Sequence, residues 1–256
     1  MKTERYKIRN PRIVWLKRSI YFITFLLLAI SIGVAINYQG RKAKPIEIKP
    51  KNIEGKKAIT VEAIEPPKII IADSFLLNIP YTVQAPLTNW NVHEESCEEA
   101  ALLMIHYYLS GNQVDIIPPA TANQELINLV AWQISNYGGE KDLGLSEIGK
   151  LGSDYYGYKY QVTEDITAEN IKLTLSEGKP VIVSVITHAL RNPYYGPNPT
   201  YHILVIKGYN QQGVITNDAG VKEGKDFFYT WDILWQAIDA QTAQMNQGRD
   251  MLVVTK

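Results

Sequence analysis

Residues able to do chemistry are few and widely spaced in this chain. The only cysteine, Cys97, stands in "VHEESCEEAALL", at the foot of an apolar run. Far downstream, His202 opens "HILVIKGY", and Asn217 and Asp218 close "GVITND". Cys97 admits three roles. With His93 four residues before it, HEESC has the spacing of a broken HExxH box and would supply two metal ligands. As a thiol near a base, Cys97 would be a nucleophile. As a small apolar side chain, it would simply be buried.

The metal role needs a third ligand and a general base. His188 and His202 are isolated in the sequence, and Cys97 opens a helix rather than sitting a full turn into it, so no metal is expected. The nucleophile role fits a helix start better. Unpaired N–H groups at the helix end favour a thiolate and can receive a developing oxyanion. They predict a thiol exposed in a groove and more reactive than free cysteine at pH 6. Glu94, Glu95, Glu98 and Glu99 oppose this, because each disfavours a second negative charge. His202 is the candidate base. A turn centred near residue 211 makes Asp218 its diagonal cross-strand neighbour, at roughly 7–8 Å between backbone positions. A slip of one residue would put Asn217 there instead. His93 reads as a solvated loop residue, His106 as surface or satisfied core, and His188 as a loop residue. Tyr194 and Tyr195, in the Pro-rich loop before His202, are candidates to line a substrate groove.

The elements that must position these groups follow from periodicity. A short strand is expected over Leu77 to Tyr81, then a turn. A helix starts at Ser96 or Cys97, with Glu98 and Glu99 in its first turn and an apolar stripe of Ala100, Leu103, Met104, Tyr107 and Tyr108, and is closed by Gly111. Further helices are expected over Asn123 to Asn136, with Leu126, Val130 and Ile134 inward, over Leu145 to Leu151, and over Ala168 to Glu177. Lys179 to Ile186 ("KPVIVSVI") is β-branched and continuous, as in a strand buried on both faces. "YHILVIKGYNQQGVITNDAG" reads as a hairpin. "DFFYTWDILWQAI" gives a strand, then a helix with Trp231, Leu234, Trp235 and Ile238 inward, and "RDMLVVTK" a last strand. Helices first and an antiparallel sheet afterwards is an α+β pattern.

The chain has 256 residues, no net charge and 46% hydrophobic residues, enough for one core plus appendages. This balance gives no electrostatic footprint for nucleic acid. One cysteine allows neither an internal disulfide nor a CxxC metal knuckle. Residues 1–18 are basic. Residues 19–36, "SIYFITFLLLAISIGVAI", carry no charge and are long enough to approach a hydrocarbon core of about 30 Å. Trp15, Tyr21 and Tyr38 sit near its ends. The apolar region is longer than that of a cleaved signal, and no small-x-small cleavage site follows. This is read as a single-pass signal anchor, with the N-terminus cytoplasmic because Lys17 and Arg18 abut the span. Residues 37–77, rich in Lys, Glu and Pro, read as an extended linker. Residues 78–256 form the folded domain.

The ordered segments "IPYTVQAPLTNW", "SCEEAALLMIHYYL", "GKPVIVSVI", "YHILVIKGYNQQGVITNDAG" and "TWDILWQ" resemble the C39-like cysteine peptidase family, on the papain-like fold, from about Asn78 to the C-terminus. The resemblance implies that Gln84, in "YTVQAP", helps form an oxyanion hole, that Cys97 is the nucleophile, His202 the base and Asp218 the third member. Two departures stand out. Many members have Cys-Gly-Pro where this chain has Cys97-Glu98-Glu99, and Asp-Pro where it has Asp218-Ala219. The implied activity is hydrolysis of peptide or other amide bonds in a peptide or protein substrate, with no cofactor. Two other functions stay open: an inactive module binding peptide or cell-wall material, and acyl transfer of the transglutaminase kind. No partner protein can be inferred.

The anchor is directly testable. The full chain, with its N-terminus intact by mass spectrometry, should stay in the membrane fraction through carbonate extraction. A soluble product beginning near residues 37–42 would overturn the reading.

Overall fold

A computed structural model describes residues 71–139, 142–245 and 248–256. The anchor segment 19–36 and most of the linker lie outside the described residues. Among those described, no helix is long and apolar enough to cross a membrane. The elements in chain order are β1 (Phe75–Leu76), α1 (Trp90–His93), α2 (Cys97–Leu109), α3 (Pro119–Tyr137), α4 (Leu145–Tyr156), β2 (Lys159–Thr163), α5 (Ala168–Ser176), β3 (Val181–Ile186), a 3₁₀ turn (Thr187–Leu190), β4 (Tyr201–Tyr209), β5 (Gly213–Asp218), β6 (Phe227–Thr230), α6 (Trp231–Met245) and β7 (Met251–Thr255).

The strands form one antiparallel sheet in the order β2-β7-β3-β4-β5-β6, with β1 also paired to β4. β3 and β4 are buried at every position, so the centre of the sheet is covered on both faces. Their unbroken apolar runs are the sequence form of that coverage. α2 packs on β4 and against α3 and α4, while α6 lies across β3, β5 and β6. The result is α+β, helices first and sheet after.

Several expectations need correction. The strand expected at Leu77 to Tyr81 is β1, two residues earlier, so the folded domain begins before residue 78. Pro80 has no N–H for a ladder, and Tyr81 makes only an isolated bridge to Ile116. α2 has no exposed apolar-to-polar stripe. From Cys97 to Ile105 it is buried all round, because it is the central helix. α3 starts at Pro119, with proline in the first turn where its missing N–H costs nothing. Its inward face is Ala122, Leu126, Leu129 and Gln133. Ile134 is 46% exposed, and Val130 is only half-buried. α4 runs on to Tyr156, and β2 was not foreseen, since it is short and mostly exposed.

The β4–β5 hairpin carries one irregularity. Leu204, Val205 and Ile206 face Asp218, Asn217 and Thr216, whereas Gly208 and Tyr209 face Ile215 and Val214. Lys207 is therefore the extra residue of a β-bulge. Its buried ammonium donates to the Ile79 carbonyl (3.3 Å) and to Asp226 (2.7 Å). Lys207→Ala should cost about 1–3 kcal/mol, the penalty for leaving the buried Ile79 carbonyl without this donor. Urea denaturation measures it, and an unchanged midpoint would remove Lys207 as the support of the bulge.

Candidate active site

The bulge decides which residue faces His202. His202, Leu204 and Ile206 share one face of β4, and Asp218 lies opposite Leu204. Without the extra residue the pairing of the hairpin end would continue, and Asn217 would fall opposite Ile206, on the His202 face. With it, Asp218 takes that face. His202 Nε2 and Asp218 Oδ1 are 2.9 Å apart, and both side chains are buried. Asn217 turns away and donates to the Ile79 and Pro80 carbonyls (3.1 and 3.3 Å).

Asp218 is fully buried and ringed by donors. Oδ1 accepts from the Tyr195 hydroxyl (2.6 Å) and the Gly220 N–H (3.1 Å), as well as from His202. Oδ2 accepts from the Tyr229 hydroxyl (2.7 Å) and Asn192 Nδ2 (3.5 Å). Burial alone would raise its pKa, but the charge and hydrogen bond of His202 and the two tyrosine hydroxyls outweigh it and hold Asp218 below the ordinary value. The turn behind is tight. Asp218 N–H donates to the Gly224 carbonyl (2.9 Å), and a β-carbon on Gly224 would collide with the Asp218 carbonyl oxygen.

Cys97 is the first residue of α2, with Ser96 as N-cap, but it is not exposed in a groove: 4% of it is accessible. Its thiol donates to Glu98 Oε2 (3.0 Å) and receives a backbone hydrogen bond from Ile203, next to His202. Burial, and then the Glu98 charge, push the thiol's pKa well up, against the expectation of a lowered value. The reason is the all-round burial of α2. Glu98 and Glu99 are buried with the thiol, whereas Glu94 and Glu95 face solvent.

Gln84 lies beside the same loop. Its Nε2 donates to the carbonyls of His93 (2.9 Å) and Glu94 (2.8 Å), so both amide hydrogens tie down the segment leading into Cys97. An oxyanion could take one only by displacing a carbonyl. His93 is buried, not solvated. Its Nδ1 meets Ser96 Oγ and its Nε2 meets Asn123 Oδ1, each at 3.1 Å, so neither nitrogen is turned to a metal. Among the described residues no group of three or more His, Cys, Asp or Glu could hold a metal ion. His106 is half-buried, with Nδ1 2.9 Å from the Tyr158 hydroxyl, and burial lowers its pKa.

Of the two tyrosines expected at a groove, Tyr194 is 55% exposed and Tyr195 turns inward to Asp218, its ring edge-on to His202. Tyr229, Asn192 and Glu98 were missed as site residues. Alternation along "FFYT" puts Tyr229 inward, the one signal for it. A cavity of about 330 Å³ is lined by Tyr81, Val83, Ala85, Pro86, Ile116 and Lys222, among others, so the chain neighbours of Gln84 line it and Gln84 itself does not. Another of about 640 Å³ borders Asn192 and Tyr195.

With this geometry in view, a family model described as the Peptidase C39 like family matches residues 76–243, about two thirds of the chain. The chain belongs to that family. Its members are cysteine peptidases by family description, and the α+β architecture agrees. A crystal structure of a proposed C39-like peptidase from Bacillus anthracis aligns at 17% identity and a TM-score of 0.49, covering 72% of this chain and 98% of that one. No curated protein matches.

The Asp218 cluster makes a pH prediction. A carboxylate held below its unfolded value contributes stability that is present above the unfolded pKa, about 3.9, and is lost as pH falls through the folded value. Tyr195→Phe removes one donor without opening a cavity. The folded pKa should then rise, and acid unfolding should begin at higher pH by circular dichroism. Superimposable acid curves would refute the role.

Proposed function

We propose that this C39-like family member is a membrane-anchored thiol hydrolase acting on peptide or other amide bonds. The observation that carries the reading is the buried 2.9 Å contact of His202 Nε2 with Asp218 on the strand face beside the start of α2. Nε2 is committed to Asp218, which leaves Nδ1 to exchange protons. In this reading His202 Nδ1 takes the Cys97 proton, and the sulfur attacks the substrate carbonyl carbon. The oxyanion is received by the backbone N–H of Cys97 at the helix start and by Gln84 once one of its hydrogens is released. His202 then protonates the leaving amine, and water, deprotonated by the same ring, hydrolyses the thioester. Asp218 keeps the ring in the tautomer with hydrogen on Nε2.

The uncharged segment 19–36 and its basic flank support a tether that keeps the domain at the outer face of a membrane. Two observations favour a second reading, an inactive binding module on the same fold: the buried thiol with its raised pKa, and the occupied amide of Gln84. Acyl transfer would use the same residues with an amine in place of water.

Labelling with a thiol-reactive, peptide-like electrophile separates these. Cys97 should be modified in the intact chain, and His202→Ala should slow labelling by about 10²–10⁴-fold, the usual scale of a general base. Asp218→Ala should slow it less. Labelling at the rate of a small free thiol, unchanged by His202→Ala, would leave the binding module.

A further inference from the structure

One buried carboxyl stands at the thiol and has no part in the chemistry described above. Glu98 is fully buried. Its Oε2 accepts the Cys97 thiol proton (3.0 Å), and its Oε1 accepts the Leu143 N–H (2.8 Å). The Leu143 carbonyl in turn accepts the Tyr201 hydroxyl (2.7 Å). Glu98 follows Cys97 in the chain and Tyr201 precedes His202, so residue 143 is bonded to the neighbours of both. The titratable groups around Glu98 are Cys97 on α2 and Asp142 on the segment it anchors, with Glu99 beside Cys97 and the Tyr201 hydroxyl of β4 one hydrogen bond further on, at the Leu143 carbonyl. Burial pushes the Glu98 pKa up to about 7. The Cys97 and Leu143 hydrogen bonds restrain the rise and Asp142 adds to it.

We propose that Glu98 is a third titrating partner of Cys97: ionised, it holds the thiol proton and restrains the nucleophile; protonated, it releases it. With Glu98 ionised, a single proton lies between sulfur and carboxylate, and a thiolate would face a second negative charge at hydrogen-bond distance. Adding a proton to Glu98 removes that charge. The neutral acid then donates to sulfur, and the thiol proton passes to His202, giving thiolate and imidazolium with no net change of charge in the step. A substrate that draws segment 142–144 off Oε1 acts in the same direction, because a carboxylate that loses a donor is more easily protonated. The proposal rests on Cys97 being the nucleophile. Its readout is thiol reactivity, so it can fail while hydrolysis stands, and it can hold where hydrolysis is absent.

Glu98→Gln keeps the shape and an acceptor for Leu143 but stays neutral at every pH. The ratio of iodoacetamide alkylation rates, variant over native chain, should be near one at about pH 5.5, where native Glu98 is protonated. It should rise through neutrality to about tenfold or more at about pH 8, a tenfold step corresponding to one unit of thiol pKa. A ratio that is flat with pH, or that falls below one at the higher pH, overturns the proposal. If the variant does not fold, the native chain decides. A protonated buried-carboxyl infrared band should titrate near neutrality, and should persist to higher pH in Cys97→Ala, which lacks the S–H donor that favours the ionised form. A band unmoved by Cys97→Ala overturns it equally.

Discussion

The structure turns on the burial of one carboxylate. Asp218 has no contact with solvent, and a bare charge in such a place would cost several kcal/mol. It is tolerated because donors from separate parts of the chain converge on it: His202 from β4, Tyr229 from β6, Asn192 and Tyr195 from the loop after β3, and the N–H of Gly220 from its own turn. His202, Asn192 and Tyr229 are buried, and each would be a buried polar group short of a partner without the carboxylate. The order of the Pro-rich loop, the closeness of β6 and the tightness of the 219–224 turn are therefore conditions on one another. The imidazole inherits its orientation from all of them.

The bulge at Lys207 is the second condition, and it is topological. An antiparallel hairpin offers one face to His202, and parity alone chooses which of two adjacent polar residues occupies it. Asn217 and Asp218 are both able to hold an imidazole. The chain settles the choice with one extra residue, whose ammonium is fastened to the Ile79 carbonyl and Asp226. Asn217, displaced from the site, ties down the Ile79–Pro80 backbone instead. That stretch leads directly to Gln84, so the two hairpin residues hold different parts of the chain from opposite faces of β5.

How much of this was legible in the sequence depends on the range of the interaction concerned. The helix start at Cys97, the hairpin and the buried strand at Val181–Ile186 follow from local pattern and were readable. So was the diagonal relation of His202 to Asp218, once the turn was placed near residue 211. Which of Asn217 and Asp218 would face the ring was less so, because Lys207-Gly208, the one interruption of the apolar strand, marks a bulge without saying which residue the hairpin then turns to the ring. The inward residues of α3 were misjudged, Ile134 for Gln133, because apolar type was a poorer guide than helical phase. The buried state of His93 was hidden as well, since its partners are Ser96 nearby and Asn123 on another helix. The largest error concerned the thiol. A helix N-terminus argues for a lowered pKa only if the helix end meets solvent or a cation. Here the helix is central, and it takes Glu98 and Glu99 into the interior with it.

That burial sets the character of the site. Cys97, His202, Asp218 and Gln84 are all nearly or wholly inaccessible in the described state, and two of them are bound to groups that the proposed reaction would have to displace. Gln84 spends its donors on the His93 and Glu94 carbonyls, and Cys97 gives its proton to Glu98. Both contacts belong to the segment around the start of α2, whereas the His202–Asp218 pair is braced by four further donors to the carboxylate, from Tyr195, Gly220, Tyr229 and Asn192. The two halves of the site are thus unequal. The strand half is fully hydrogen-bonded, and the helix half is satisfied by internal contacts that a substrate carbonyl would have to replace in the proposed reaction. A carbonyl lodged beside Cys97 would offer Gln84 an acceptor in exchange for the one it gives up, so the hydrogen-bond count need not fall on opening. The cost of admitting a substrate is then mainly the exposure of apolar surface around α2.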